Sequence, residues 1–370
     1  MPNTYCNHIQ KGLFVSHQGV GVCCVNTNKF RGVGASEFWN GKTRSTALER
    51  MQNDLEVDGC QGCYKTEQKK MPSTRNFARS YDQIPSKSMP TMLDVDFSNF
   101  CNLKCVMCNE TRSSEWGKDL GLPVSTVSYK LIDDVTSISD HVEHLTVQGG
   151  EPSIMPEYEY FFEQLDEKDL ISKIDLQVIT NITNVNKKFY DLLGKFKSVR
   201  LCVSVDAYGP ANDYIRWPSK FDAITKNIRA ISDLPNSIQI DINNSLNILS
   251  MFNYNKFLEW GKNLEDLFES KGKVIRMVPL KVQNPKEYSP FSAPMPLKEK
   301  FAEDIKAFME SKVLKHNSNW KLETLLLLRG IENSPEDPQA ITQLKKEVQE
   351  LDIKRHKRIY DFIPDFYNYL

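Results

Sequence analysis

The chain has 370 residues, 40% of them hydrophobic, so it is long enough to bury a large core and to form about two or three domains. Its 47 Lys and Arg residues are balanced by 48 Asp and Glu residues, which excludes a global attraction toward nucleic acid or an anionic membrane. No apolar run reaches the roughly 18 residues of a membrane-spanning helix, and the first residues lack a signal-peptide pattern. We therefore expect a cytoplasmic protein, in which cysteines are more often metal ligands or redox groups than disulfides.

The first 85 residues are rich in cysteine and glycine and contain only short predicted elements. Five of the nine cysteines lie in this region, in two hairpin-like segments and near the first residues. These five are Cys6, Cys23, Cys24, Cys60 and Cys63. Four thiolates drawn from such segments could hold either a four-iron cluster or a structural zinc ion.

From about residue 91, short β-branched runs alternate with amphipathic helical stretches. The predicted strands are 91–98, 144–150, 174–180, 198–206, 237–245 and 273–280. The predicted helices between them lie near 126–139, 156–170, 186–196, 219–233 and 251–270. This alternation predicts a parallel sheet with right-handed crossovers, as an open sheet or a partial barrel. In both arrangements, ligands bind at the carboxyl ends of the strands.

After residue 290 the pattern is helical and charged, most clearly over 338–359. The basic run "KRHKR" at 354–358 lies on this last helix. We expect it to form a solvated helix face, because charged residues on a helix usually face water.

The stretch "FSNFCNLKCVMCNE" (97–110) places Cys101, Cys105 and Cys108 in the loop after the first predicted strand of the sheet. Thiolates are the usual ligands of iron–sulfur clusters, and a four-iron cluster normally takes four of them. Three ligands leave one iron open to bind a small molecule directly, as catalytic metal sites do. The alternative for three such cysteines is part of a zinc site.

The array C-x3-C-x2-C after a strand resembles the cluster loop of the radical S-adenosylmethionine (SAM) superfamily, and the resemblance covers about residues 91–280. "VQGGEPS" (147–153) closes the second strand, where that family carries a GGE motif, and "VSVDAYG" (203–209) closes the fourth. The resemblance implies that Cys101, Cys105 and Cys108 are the catalytic cluster ligands. It also implies SAM contacts by Met107, Gly149, Gly150, Glu151, Thr180, Asn181, Ser204 and Arg216.

The family's chemistry implies a [4Fe-4S] cluster, SAM and a low-potential electron donor such as a flavodoxin or ferredoxin. An electron from the reduced cluster cleaves SAM, and the resulting 5′-deoxyadenosyl radical abstracts hydrogen from the substrate. The protein's part is to position SAM and to exclude water and oxygen.

The N-terminal cysteines resemble a SPASM or twitch auxiliary-cluster domain, which implies a second [4Fe-4S] cluster. A Trp-containing turn and an Arg-bearing helix in "ASEFWNGKTRSTALERMQ" (35–52) add to this likeness. Cys6, Cys60 and Cys63 are then the expected ligands, together with Cys24 or, as the alternative, Cys23. Such domains usually follow the barrel, whereas this one precedes it. That the chain acts on the same kinds of substrate as those enzymes is therefore an expectation.

The predicted fold is α/β, with a partial (β/α)6 TIM-like barrel at 86–290. A small Cys-rich twitch-like domain (1–85) precedes it, and a helical extension (291–370) follows it. The predicted function is radical SAM catalysis on a peptide or protein substrate. Two alternatives stay open. The first is a radical SAM enzyme acting on a nucleotide or tRNA, for which the balanced charge gives no strong signal. The second is a zinc-stabilised binding protein without catalysis.

Overall fold

A computed structural model of the chain describes residues 4–68, 70, 72–234, 238–312, 314 and 320–370. The chain divides into two compact units. The first holds residues up to Cys101, Glu110–Ile179 and Asn186–Val199, and the second holds Asn102–Asn109, Thr180–Val185 and Arg200–Leu370. Residues 1–85 therefore share a unit with later strands, and a separate domain in that region stays a prediction.

The elements of the described chain are as follows. The strands are β1 (Gly12–Ser16), β2 (Gly19–Gly21), β3 (Met92–Asp96), β4 (Lys104–Cys105), β5 (His144–Gln148), β6 (Asp175–Thr180), β7 (Ser198–Ser204), β8 (Arg216–Trp217), β9 (Ile238–Leu246) and β10 (Ile275–Lys281). The α-helices are α1 (Asn7–Lys11), α2 (Ala35–Asn40), α3 (Lys42–Gln52), α4 (Gln61–Gln68), α5 (Thr74–Phe77), α6 (Ser114–Asp119), α7 (Tyr129–Ser137), α8 (Pro156–Glu167), α9 (Lys187–Leu193), α10 (Pro210–Ile215), α11 (Phe221–Ile231), α12 (Tyr254–Ser270), α13 (Met295–Ser311), α14 (Trp320–Glu332), α15 (Pro338–Arg355) and α16 (Phe366–Tyr369). Single 3₁₀ segments lie at Ala78–Tyr81, Pro152–Ile154, Ile171–Lys173, Ile248–Asn253, Lys286–Tyr288, Pro290–Ser292 and Ile359–Asp361.

The strands of the first unit are parallel except at one edge. Their order is β6-β5-β3-β1-β2, and β2 alone runs antiparallel to its neighbour β1. The register aligns Val15, Val95, Val147 and Val178 across the sheet, and all four side chains are fully buried. Branched side chains suit such a doubly covered parallel sheet because they pack closely on its pleated surface.

In the second unit β9 lies between β7 and β10, and β10 runs parallel to β9. A separate antiparallel ribbon pairs β4 with β8, with Cys105 opposite Arg216 and Lys104 opposite Trp217. Each strand of this ribbon has only two residues. So short a ribbon is marginal by itself and depends on what packs around it.

The crossover helices form because their apolar residues recur at helical spacing. In α11 the buried residues are Phe221, Ile224, Ile228 and Ile231, which fall on one face of the helix. The six strands predicted between residues 91 and 280 are confirmed as β3, β5, β6, β7, β9 and β10, although Ser237, the predicted start of one, lies outside the described residues. The sequence did not predict the parallel pairing of β1 with β3.

No helix in the described ranges combines the length and the apolar character that crossing a membrane requires.

Candidate active site

The loop after β3 carries Cys101, which lies in the first unit and is buried. Its backbone N–H donates to the Ser114 hydroxyl oxygen at 3.1 Å, and the Ser114 hydroxyl donates back to the Cys101 carbonyl at 3.2 Å. The Ser114 N–H also donates to the carbonyl of Asn99 at 2.7 Å. The start of α6 thus fixes the backbone at Cys101, whose thiol is not in a disulfide.

Cys105 and Cys108 lie in the second unit, on and just after β4. The N–H of Val106 donates to the Ile215 carbonyl at 2.8 Å, and the N–H of Cys108 donates to the Cys105 carbonyl at 3.0 Å. Both thiols are free of disulfides and partly exposed. The β4–β8 ribbon therefore holds the second predicted ligand, and a tight turn from it leads to the third.

Arg216 is a buried cation beside Cys105. Its Nη1 lies 3.7 Å from Cys105 Sγ, and its Nε lies 2.7 Å from Asp206 Oδ2 in an ion pair. Burial alone would lower the pKa of Arg216, but Asp206, and then Cys105 and Cys108, raise it above its ordinary value. Burial raises the pKa of Asp206, and Arg216 opposes that rise. A guanidinium held charged at this position favours the thiolate of Cys105, the form that binds iron.

The two glycines of the GGE segment allow the backbone after β5 to approach the start of the cluster loop. The N–H of Gly150 donates to the Ser98 carbonyl at 3.0 Å, and that of Glu151 donates to the Phe100 carbonyl at 2.8 Å. A Cβ at Gly150 would lie 2.1 Å from the Phe100 carbonyl oxygen. Gly149 has φ +126°, a conformation that L-residues with side chains rarely adopt.

Glu151 itself is completely buried. Its Oε1 accepts hydrogen bonds from the Ser153 hydroxyl at 2.7 Å and from the Ser153 N–H at 3.2 Å, so the carboxylate caps the 3₁₀ segment Pro152–Ile154. The negative charge of Glu151 also contributes to a raised pKa at Tyr190, after the larger effect of burial.

Thr180 is the last residue of β6 and Asn181 follows it, and both lie close to the cluster loop within the second unit. Asn181 Nδ2 donates to Asn102 Oδ1 at 3.0 Å, and Asn102 Nδ2 donates to Thr183 Oγ1 at 2.8 Å. The Thr180 hydroxyl oxygen accepts the N–H of Ile182 at 3.0 Å. An amide network thus joins the end of β6 to the residue that follows Cys101 in the chain.

The other two residues predicted to contact SAM also lie in the second unit. Met107 Sδ accepts from Asn247 Nδ2 at 3.8 Å, a weak contact in which the amide belongs to a fully buried side chain. Ser204 is the last residue of β7 and is partly exposed.

Among the N-terminal cysteines, Cys6, Cys60 and Cys63 influence one another electrostatically. Burial raises the pKa of Cys6 to about 11, and the thiols of Cys60 and Cys63 add to the rise. Asn26 Nδ2 donates to Cys60 Sγ at 3.2 Å, and the N–H of Cys63 donates to the Cys60 carbonyl at 3.0 Å. The three predicted ligands therefore lie in one part of the first unit.

Cys23 and Cys24 have different surroundings. Cys23 Sγ accepts the N–H of Val25 at 3.4 Å, and the Cys23 carbonyl accepts the N–H of Asn26, the residue that also donates to Cys60. A hydrogen bond with Cys23, then burial, raises the pKa of Cys24, whereas a hydrogen bond with Asp94 lowers it. The choice of Cys24 over Cys23 as a ligand stays a prediction.

The donor chemistry of both cysteine sets suits iron–sulfur ligation. None of the nine cysteines is in a disulfide, and Cys60 and Cys105 each receive a side-chain donor at sulfur. Groups that donate hydrogen bonds to the ligand atom in this way are typical around metal-bound thiolates. Within the residues that the structure describes, no three His, Cys, Asp or Glu side chains are grouped so that they could hold a metal ion.

A large cavity of about 850 Å³ lies in the first unit, at the carboxyl end of β1. His17 lines it, with Nδ1 2.9 Å from Ser125 Oγ and Nε2 4.0 Å from Asp96 Oδ1. Burial, with a smaller effect of Arg112, lowers the pKa of His17 to about 4, so the imidazole is neutral at physiological pH. The sequence signal that could have placed His17 beside this cavity is "GLFVS" (12–16), because His17 directly follows that strand of the sheet.

The α/β fold and the loop of cysteines after β3 define a class of protein. The sequence model of the Radical SAM superfamily matches residues 95–288, more than half of the chain, and the chain belongs to this superfamily. It is therefore a radical SAM enzyme, and the predicted fold class is confirmed. No curated protein matches the chain.

Solved structures of radical SAM proteins are similar to the chain over part of its length. Native anSMEcpe with bound AdoMet is 18% identical, covers 64% of this chain and 66% of its own, and has a TM-score of 0.45. SuiB of Streptococcus suis bound to S-adenosylmethionine is 16% identical, with coverages of 75% and 59% and a TM-score of 0.38. The methyltransferase TsrM of Kitasatospora setae is 11% identical, with coverages of 60% and 41% and a TM-score of 0.36. The chain thus spans less than two thirds of each of these proteins.

Proposed function

We propose that this enzyme reductively cleaves SAM at a [4Fe-4S] cluster held by Cys101, Cys105 and Cys108, and that it modifies a peptide or protein. The observation that carries the proposal is the buried Arg216 guanidinium, 3.7 Å from Cys105 Sγ and paired with Asp206. A permanent cation in this place lowers the cost of keeping Cys105 as a thiolate. An iron ligand needs that form, whereas a cysteine that merely fills the core does not.

When bound, the cluster supplies the electron that cleaves SAM to a 5′-deoxyadenosyl radical. The chain's own residues bind and orient SAM. In this proposal Glu151 and the backbone at Gly149 and Gly150 take the amino group, while Ser204 and Arg216 approach the carboxylate. Thr180 and Asn181 contact the ribose, and Met107 packs against the adenine. The hydrogen bonds of Glu151 with Ser153 support this role because they fix the direction of its carboxylate.

We also propose that Cys6, Cys60, Cys63 and either Cys24 or Cys23 hold an auxiliary cluster. Asn26 supports this set because its Nδ2 donates to Cys60 Sγ at 3.2 Å and its N–H donates to the Cys23 carbonyl at 3.3 Å, which brings two of the cysteine segments together. A four-iron cluster is the first choice and a structural zinc ion the second. A flavodoxin or ferredoxin of the cytoplasm would be the electron donor.

The peptide or protein substrate rests on the likeness of the N-terminal cysteines to auxiliary-cluster domains. It can be tested by following the hydrogen atom that the radical removes. Reduced enzyme is given unlabelled SAM together with either protein or RNA from cells grown in deuterated medium. Mass spectrometry of the 5′-deoxyadenosine should find carbon-derived deuterium only with the protein fraction. The Cys105→Ala variant is the control that should show none. Deuterium from the RNA fraction alone would favour the nucleotide or tRNA alternative.

A further inference from the structure

One residue of the basic run at the end of α15 is not solvated. Arg355 is only 8% exposed, whereas Lys354, His356, Lys357 and Arg358 are all exposed. The expectation that the whole run forms a solvated face is therefore wrong at Arg355. A buried guanidinium is costly unless its donors are used, so its partners indicate why it is there.

The partners of Arg355 are one backbone carbonyl in β4 and one in α10, the helix that leads into β8. Its Nη2 donates to the carbonyl of Lys104 at 2.9 Å, and its Nη1 donates to the carbonyl of Tyr214 at 2.8 Å. Lys104 directly precedes Cys105, and Tyr214 lies two residues before Arg216. The guanidinium also lies over the rings of Tyr214 and Trp217, at 5.2 Å and 5.6 Å from their centroids. The planar fork of one arginine thus joins the two chain segments that hold Cys105.

A second contact fastens the same turn of α15 to the same place. The Tyr214 hydroxyl donates to Asp352 Oδ1 at 2.8 Å, and Asp352 Oδ2 accepts the N–H of Ile359 at 2.8 Å. The Tyr214 side chain is fully buried and lies against Phe362, with ring centroids 5.4 Å apart. Asp352 and Arg355 therefore both attach the end of α15 to Tyr214.

We propose that Arg355 is a positioning residue for the cluster loop, and that the helix α15 holds Cys105 in place through the carbonyl of Lys104. The ribbon that carries Cys105 has only two residues in each strand, so its own hydrogen bonds give it little stability. The charged guanidinium of Arg355 adds two hydrogen bonds to the few that the ribbon forms itself. The proposal rests on the proposed function, because it takes Cys105 to be a cluster ligand.

The test compares how fast the reconstituted, full-length enzyme loses cluster iron to a chelator under anaerobic conditions. Arg355→Ala should release the iron of the SAM-responsive cluster about tenfold faster than wild type, because two charge-assisted hydrogen bonds are lost. Arg355→Lys keeps the charge without the fork and should fall between the two. The electron paramagnetic resonance change that SAM causes identifies which cluster is observed, and Arg355→Ala should broaden that spectrum.

Two control variants separate positioning from general destabilisation. Lys354→Ala changes the exposed neighbour and should behave as wild type. Leu344→Ala weakens the packing of α15 three turns away and should lower stability without accelerating iron release to the same degree. Iron release and spectra unchanged in Arg355→Ala would overturn the proposal, as would equal acceleration in Leu344→Ala. If Arg355→Ala does not fold, Arg355→Lys decides by the same two readouts. A wild-type enzyme that binds no cluster would instead refute the proposed function.

Discussion

Arg216 is the residue at which the family resemblance and the structure indicate different partners. The resemblance assigns it to the carboxylate of SAM, while the structure pairs its Nε with Asp206 and places its Nη1 near Cys105 Sγ. A buried arginine needs a counter-charge, and the fully buried Asp206 provides one. The remaining positive field falls on the sulfur atoms of Cys105 and Cys108.

We expect this field to set the potential of the cluster. Positive charge and hydrogen bonds at cluster sulfur favour the reduced state, so Arg216→Gln should lower the midpoint potential by an amount on the order of tens of millivolts. A redox titration followed by electron paramagnetic resonance measures it, with the iron content determined on the same sample. Arg200→Gln, which removes a half-exposed arginine 3.9 Å from Asp241 in the same unit, is the matched control. An unchanged potential together with weaker SAM binding would show that Arg216 serves the SAM carboxylate alone.

Arg355 shows what the sequence could and could not indicate about single residues. The buried positions of α15 are Ala340, Leu344, Val348, Leu351 and Arg355, and they continue one helical stripe. Arg355 continues this stripe in the structure, whereas its charge and its basic neighbours led us to expect a solvated position. What the sequence lacked was the identity of the two carbonyls that accept its hydrogen bonds, because those belong to residues far away in the chain.

At the level of elements, the GGE segment shows how a motif can serve backbone packing as well as ligand binding. Gly150 and Glu151 donate their N–H groups to carbonyls of the segment that leads into the cluster loop. The nearest atoms to a Cβ on Gly150 are the carbonyl oxygen and carbon of Phe100, at 2.1 Å and 2.4 Å. Backbone atoms held in a sheet-end loop have little freedom to move aside.

Gly150→Ala should therefore destabilise the apoprotein by about 1–3 kcal/mol and displace the loop that carries Cys101. Urea denaturation measures the stability, and iron content after reconstitution reports on the loop. Gly194→Ala is a suitable control, because that residue has a right-handed helical conformation and the nearest atom to a Cβ there is the Asp191 carbonyl oxygen, at an ordinary contact distance of 3.4 Å. Stability and iron content equal to wild type in Gly150→Ala would mean that the close approach is not needed.

Long-range pairing explains which elements the sequence did not predict. The six strands after residue 91 have periodic apolar residues and intervening helices, so the local sequence pattern was sufficient to predict them. In contrast, β1 is a five-residue run, and its register pairs Gly12 with Met92 across a long stretch of chain. The two-residue strands β4 and β8 carry no periodicity at all, yet they hold Cys105 opposite Arg216.

At the level of the whole molecule, the N-terminal cysteines belong to the same unit as β3 and Cys101. Their clustering in sequence predicted a metal site, and the structure places Cys6, Cys60 and Cys63 within electrostatic reach of one another. The choice of Cys24 over Cys23 stays a prediction; in the folded chain the Cys23 carbonyl accepts the N–H of Asn26, and Cys24 is hydrogen-bonded with Asp94.

The two cysteine sets make distinct contributions to the iron content. With a four-iron cluster on each set, reconstituted wild-type enzyme should carry about eight irons per chain. Replacing Cys101, Cys105 and Cys108 together with Ala should leave about four. This variant keeps the N-terminal set intact and is the matched control for chemistry at the cluster loop.

The formation of 5′-deoxyadenosine from SAM by the reduced enzyme tests the central claim most directly. Anaerobic, reconstituted wild-type protein should produce it even without substrate, and liquid chromatography with mass spectrometry quantifies it. Cys105→Ala and the triple Ala variant should produce none, because too few thiolates remain to hold a cluster with an open iron. Wild-type protein that carries its full iron content and still forms no 5′-deoxyadenosine with any low-potential reductant would contradict the account.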